Sequence, residues 1–240
     1  MFQTTALHLR YSYFQNFKAN SLKFSILEIL KLSAGYKNFR IFIDKLEVFE
    51  NQKIVILGPN GSGKTTLIRT LLKQIDYEGS VKIYSKELKN ISQEELIKYC
   101  SFLLQVEYQP DITVKTYLKL SGVKLEIDLM EIKELLNRKM NELSAGEFQR
   151  VRLSRVINST QKISILDEPL SHLDPYFQIR LLQYIKNSEK TFILTIHDIF
   201  LATKFFSNFI LMKDGKIYAR TLNEENFKQV FNLSLEIFGT

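Results

Sequence analysis

The chain of 240 residues contains one cysteine, Cys100, which excludes a disulfide framework and any cysteine-clustered zinc site. Four prolines and nine glycines are too few for a disordered or collagen-like chain. No apolar stretch reaches the roughly 18 residues of a bilayer-spanning helix. The nearest candidate, residues 191–212, is interrupted by His197, Asp198 and Lys204. A secretory leader is not expected, because Gln3, His8, Arg10 and Gln15 break the first apolar run. Blocks of five or six basic residues are missing, so the formal net charge of +7 does not by itself indicate nucleic acid. A surplus of that size also suits a protein handling polyphosphate beside an anionic membrane surface. Lack of disulfides is in keeping with a cytosolic chain.

What is present has the balance of a globular protein, 45% hydrophobic and 25% charged, with length enough for one large domain and a packed core. Residues 24–32 and 39–49 are rich in Ile, Phe and Leu with partial alternation, predicting half-buried strands. The run KIVIL at 53–57 is continuously apolar, as a strand buried on both faces is. Across 65–75, Leu67, Leu71 and Ile75 recur at a spacing of four, flanked by Ile68 and Leu72, predicting one apolar helix face. Further apolar runs lie at 80–84, 163–166, 192–196 and 209–212, and Asp174-Pro175 introduces a helical pattern over 176–185. This alternation predicts an α/β fold with a mostly parallel sheet covered on both faces. Between about 106 and 159 no comparable strand occurs. There, 129–137 and 147–158 read as helices of an inserted helical segment.

Residues 58–66, GPNGSGKTT, fit the phosphate-loop pattern between a strand and an amphipathic helix. Gly58, Pro59, Asn60, Gly61, Ser62, Gly63, Lys64, Thr65 and Thr66 are therefore candidate nucleotide-binding residues. Gly61 and Gly63 can take positive φ, so that the backbone wraps an anion. Lys64 and the helix N-terminus face the same phosphate, and Thr65 offers a hydroxyl to Mg²⁺. About a hundred residues on, ISILDEP at 163–169 brings Asp167 to a strand end as a second Mg²⁺ anchor. Glu168, next in an extended chain, projects from the opposite side and is placed to polarise water. His197 ends another apolar strand whose C-terminal end should lie over the same phosphates. His8 and His172 have no comparable setting.

Residues 140–155, MNELSAGEFQRVRLSR, complete the pattern. LSAGE at 143–147 resembles the LSGGQ signature of ABC-type ATPases, about 20 residues before ISILDEP. With GPNGSGKTT, Gln105 after an apolar strand, SHLD at 171–174 and IHD at 196–198, the resemblance runs from about Phe24 to the C-terminal region. It implies a P-loop NTPase of ABC architecture: a mostly parallel core sheet flanked by helices, an antiparallel β subdomain and an inserted helical subdomain. Residues 24–240 would form this domain, and residues 1–23 an extension without counterpart.

The same resemblance implies roles. Tyr36 would stack on adenine, and residues 58–66 would cradle the triphosphate. Gln105 would touch Mg²⁺ or the attacking water, joining Thr65 and Asp167 around the metal. Glu168 would be the general base and His197 the γ-phosphate sensor. Ser144, Ala145, Gly146 and Glu147 would face ATP held by a second protomer in a head-to-tail dimer, with Asp174 coupling the two sites. ATP and Mg²⁺ are the implied cofactors. Three departures stand out: Ala145 for a signature glycine, Glu147 for glutamine, and Leu170 for the threonine of DEPT. The alanine is harmless only if its φ is negative.

The phrases LSAGEFQRVRLSRVI, SHLDPYFQ and DGKIYARTLNEENFKQVFN are most similar to ATPases of cobalamin and iron-chelate importers. Implied partners are an integral membrane permease and a substrate-binding protein, with the chain peripheral on the cytoplasmic face of the cell membrane and no nucleic acid involved. The alternative is a non-transport ABC ATPase acting on DNA or ribosomes. It lacks support from long coiled-coil insertions, zinc-binding cysteines or a second tandem ATPase domain.

Overall fold

The Ile- and Phe-rich runs near the start of the chain pair with each other. In the computed structural model, which describes residues 25–105 and 108–234, β1 (Ser25–Tyr36) and β2 (Phe39–Phe49) form an antiparallel hairpin closed at Tyr36↔Phe39. Residues 1–23, read above as an extension, lie outside the described residues. The KIVIL run is β3 (Lys53–Leu57), buried from Ile54 onward, and leads through the glycine-rich turn into helix α1 (Lys64–Leu71). The chain continues through β4 (Tyr77–Ile83), β5 (Lys86–Glu87), helix α2 (Gln93–Tyr99), β6 (Cys100–Leu103) and helix α3 (Val114–Leu120). Helix α4 (Ala145–Ile157), β7 (Ile163–Leu166), helix α5 (Pro175–Asn187), β8 (Thr191–Thr195) and helix α6 (Ile199–Phe205) follow. Then come β9 (Phe209–Lys213), β10 (Lys216–Ala219) and helix α7 (Glu224–Phe231).

Among the described residues the ten strands make one mixed sheet, in the order β5-β4-β1-β2-β10-β9-β3-β8-β7-β6. The strands β9, β3, β8, β7 and β6 run parallel, whereas β2, β1, β4 and β5 are antiparallel. The two-residue period of β3 divides its side chains between two cores. Ile54 and Ile56 pack with Leu67, Ile68 and Leu71 of α1, while Val55 and Leu57 pack with the group that includes Val151 of α4 and Leu181 of α5. Both faces of the sheet are thus covered, as the alternation of elements predicts.

The parallel register fixes the level at which the strands end. Ile56 pairs with Thr195, Leu166 with Leu194, and Leu103 with Leu166. Gly58, Gln105, Asp167, Glu168 and His197 therefore leave one edge of the sheet. At the other side of the parallel strands lies a seam. There β10 pairs with β2 only at Lys216↔Phe42, and a groove of about 920 Å³ opens between 42–45 and 216–221. Gly215 bridges it, donating its N–H to the Ser62 carbonyl (3.1 Å) and accepting the Phe42 N–H (2.7 Å).

The helical expectation for 147–158 matches α4, but that for 129–137 does not hold: only a 3-10 turn, Lys133–Leu135, forms there. Glu131 takes a left-handed φ of 52°, and the Asp128 carboxylate accepts the Ile132 N–H (2.8 Å) that a helix would send elsewhere. The carbonyls of Met130 and Glu131 accept from Arg150 Nη1 at 2.9 and 3.1 Å. Met130, Ile132 and Leu135 are buried all the same, so the apolar pattern reported burial and not helix. The short α2 and β10 escape a reading by periodicity because each has too few residues to display one.

Asn158 at the end of α4 holds the adjoining loop. Its Oδ1 accepts from the N–H groups of Glu126 (2.9 Å) and Ile127 (2.7 Å), and its Nδ2 donates to the carbonyls of Ile127 and Ser154, both 2.9 Å. Replacing Asn158 by Ala should lower stability by about 1–3 kcal/mol. The expected readout is a lower urea midpoint at unchanged slope; an unmoved midpoint would show these bonds to be dispensable.

Candidate functional site

The turn after β3 is shaped by close approach. A Cβ on Gly58 would lie 2.3 Å from the Met212 carbonyl oxygen, and one on Gly63, at φ 104°, 2.5 Å from Ile41 Cγ2. Gly63 is the N-cap of α1 and provides no side-chain acceptor, and the first turn of that helix carries no acidic residue. The N–H groups that begin α1 are therefore available to an anion. Lys64 is buried, with Nζ donating to the carbonyls of Gly58 (2.7 Å) and Pro59 (3.1 Å). Burial pushes its ammonium below the usual lysine range, and the charges of Glu168 and Asp167 oppose that shift.

Over this loop opens a cleft of about 520 Å³. Asn60, Gly61, Gly63, Lys64, Thr65 and Thr66 line its floor; Gln105, Glu168 and His197 close one side, and Tyr36 and Phe39 from the β1–β2 turn form the other. Tyr36 is half-exposed, and its hydroxyl accepts from Arg69 Nη1 at 2.9 Å. An aromatic ring pair, an anion-binding turn and an acid–imidazole–amide cluster therefore share one cavity.

Asp167 is buried. Its Oδ1 accepts the Thr195 hydroxyl at 2.8 Å, while Oδ2 has no hydrogen-bond partner. A buried carboxylate oxygen left without a donor suits a cation, so the donor set of Thr65, Gln105 and Asp167 fits Mg²⁺. Glu168 departs from the extended geometry expected of it. It sits in the left-handed region at φ 51°, a conformation that costs a non-glycine residue about 1–3 kcal/mol. Its N–H donates to Thr195 Oγ1 (2.7 Å), which ties both carboxylate residues to one hydroxyl. The turned backbone brings Glu168 Oε1 to 2.6 Å from His197 Nε2 and Oε2 to 3.2 Å from Gln105 Nε2.

Ser144, Ala145, Gly146, Glu147 and Asp174 do not line this cleft. Ser144 is the N-cap of α4, its Oγ accepting the Glu147 N–H while the Glu147 carboxylate accepts the Ser144 N–H, a reciprocal capping box. Ala145 opens the helix and has no positive φ, so its methyl adds no backbone strain. Gly146 lies under the loop that follows Glu168: a Cβ there would come within 3.0 Å of the His172 carbonyl oxygen. Asp174 caps α5, accepting the Phe177 N–H at 3.1 Å. The sequence reading missed Phe39, Thr195, Arg69 and Arg138. The first was findable from the hairpin register beside Tyr36, and the others only from contacts distant in sequence.

The sequence matches the ABC transporter family over residues 43–171. It is 31% identical over 237 residues to an uncharacterized ABC transporter ATP-binding protein of Methanocaldococcus jannaschii, covering 88% of this chain and 93% of that protein. It is 32% identical over 179 residues to the zinc import ATP-binding protein ZnuC of Mannheimia succiniciproducens, covering 71% of this chain and 65% of that one. Among solved structures, a dimeric ATP-binding cassette in a post-hydrolysis state, bound to ADP and Pi, superposes with a TM-score of 0.67 at 22% identity, covering 82% and 99%. With the match spanning more than half of the chain, and with phosphate loop, paired acids and signature helix in place, the protein belongs to the ATP-binding subunits of ABC transporters.

Proposed function

We propose that this chain hydrolyses MgATP as one half of a head-to-tail dimer that drives an ABC importer. The observation that carries the reading is the convergence of Glu168 with His197 (2.6 Å) and Gln105 (3.2 Å) over the loop that holds Lys64. Tyr36 stacks on the adenine. The ammonium of Lys64 leaves the carbonyls of Gly58 and Pro59 for the β- and γ-phosphates. Glu168, drawn off its two partners, accepts the proton of the water that attacks the γ-phosphorus; the P–O bond to ADP breaks as the new one forms. His197, released from Glu168, donates to a γ-phosphate oxygen. Thr65, Gln105 and Asp167 would hold Mg²⁺, which neutralises charge on the phosphate oxygens when bound. Ser144 and the N-terminus of α4 face the partner's γ-phosphate, and Asp174 lies where the two sites communicate.

Among the described residues no helix is long and apolar enough to cross a membrane. A membrane permease would therefore supply the pore, with this chain on its cytoplasmic face and a substrate-binding protein delivering cargo. The relative named for zinc import supports import as the direction. Cobalamin or an iron chelate as cargo rests on the phrases at 143–157, 171–178 and 214–232. The likeness to a zinc import protein does not add to it.

Lys64→Ala should abolish tight ATP binding, because the loop loses the mobile cation that faces the β- and γ-phosphates. Near-normal affinity in equilibrium binding would remove Lys64 from the site.

Glu168→Gln keeps the shape and removes the base, so turnover should fall about 10²–10⁴-fold while MgATP still binds. That variant should accumulate as a dimer in size-exclusion chromatography with MgATP, and Ser144→Arg in the same background should keep it monomeric. Wild-type turnover in Glu168→Gln would discard the base assignment; a monomer in saturating MgATP would discard the dimer.

A further inference from the structure

The helix that carries the signature begins with a contradiction in charge. The N–H groups of its first turn and its dipole attract an anion, yet Glu147 places a full negative charge in that same turn. The Glu147 carboxylate is held in its ionised form well below the usual range, first by the Ser144 backbone N–H and hydroxyl and then by Arg138. A proton therefore does not neutralise it near neutral pH. A cation does: Arg138 Nη1 donates to Glu147 Oε1 at 2.7 Å.

We propose that Arg138 is a positioning residue of the composite ATP site, cancelling the Glu147 charge so that the start of α4 can accept the partner's polyphosphate. The inference rests on the head-to-tail reading and adds a residue outside the signature to it. Arg138 is fixed for the task at both ends. Its backbone N–H donates to the Leu135 carbonyl and its own carbonyl accepts the Val114 N–H, both at 2.9 Å. Its Nη2 donates to the Glu142 carbonyl at 2.9 Å, so the guanidinium bridges Glu142 and Glu147 across the intervening residues 143–146. Glu147 spends its other oxygen, Oε2, on the Ser144 N–H and hydroxyl, both at 2.9 Å. The neighbouring cation, Lys139, is committed to Asp111 at 2.8 Å. Among the described residues Arg138 is the cation paired with Glu147.

Removing Arg138 leaves an ionised carboxylate where a multiply charged phosphate must dock, and a symmetric dimer meets that repulsion twice. Two unit charges in partial burial repel strongly enough to cost about tenfold per site. The test uses the Glu168→Gln background and MgATP, with dimerisation followed by analytical ultracentrifugation. Arg138→Gln should weaken the dimer by about two orders of magnitude while leaving ATP affinity of the monomer unchanged, and Arg138→Lys should retain much of the dimer. Adding Glu147→Gln to Arg138→Gln should restore association to the level of Glu147→Gln alone, because an amide needs no neutralising partner. The proposal is overturned by an undiminished Arg138→Gln dimer, by a defect that persists in the double variant, or by a parallel loss of monomer ATP binding, any of which makes Arg138 structural. Failure of Glu168→Gln itself to dimerise would be a different result, overturning the head-to-tail reading together with this one.

Discussion

The shared register of the parallel strands is the constraint on which everything else depends. Because β3, β8, β7 and β6 end level with one another, four chain segments far apart in sequence deliver an anion-binding turn, an amide, two carboxylates and an imidazole to one edge. A slip of one residue in any of these strands would turn its side chains to the opposite face. Both faces are filled with large aliphatic groups, so the cores of the protein protect the geometry of the site. Ile54 and Ile56 answer to one core and Val55 and Leu57 to the other.

Within that frame, the site is held by a small number of polar links. Thr195 is buried and joins Asp167 to the backbone of Glu168, which sets the two acids at different angles despite their adjacency. The strain of a left-handed glutamate is sustained because its N–H, its carbonyl (acceptor for the Ser171 N–H and hydroxyl) and both carboxylate oxygens are bonded. Strain concentrated at a reacting group and supported on all sides is a common arrangement in catalytic sites.

Much of this was legible in the sequence, for identifiable reasons. Strands such as 53–57 and 163–166 are short and apolar but for Lys53 and Ser164, and helix α5 announces itself with Asp174 and Pro175, so local chemistry and tertiary demand agree. The phosphate loop is a contiguous anion cradle and could be read without its surroundings. The segment 129–137 was misread because Leu129, Ile132, Leu135 and Leu136 mimic a helical spacing, while the Asp128 carboxylate and Arg150 divert the backbone bonds a helix needs. The turned backbone of Glu168 was invisible for a similar reason: it depends on Thr195, 27 residues away. Arg138 and Arg69 likewise act through partners that only the folded chain brings near.

The seam between β2 and β10 has a mechanical consequence. One paired residue joins the antiparallel strands to the parallel ones, with the Gly215 link to Ser62 and Phe42 and a hydrogen bond from the Arg220 guanidinium to the Lys45 carbonyl as its rivets. Tyr36 belongs to the antiparallel plate; Glu168 and His197 belong to the parallel one. A nucleotide seated as proposed would touch both plates at once, its base against one and its phosphates against the other. It would serve as a clasp across the line where one backbone pair joins the two groups of strands, adding to the apolar packing of Ile41 and Ile43 with Ile56, Ile210 and Met212 that already spans it.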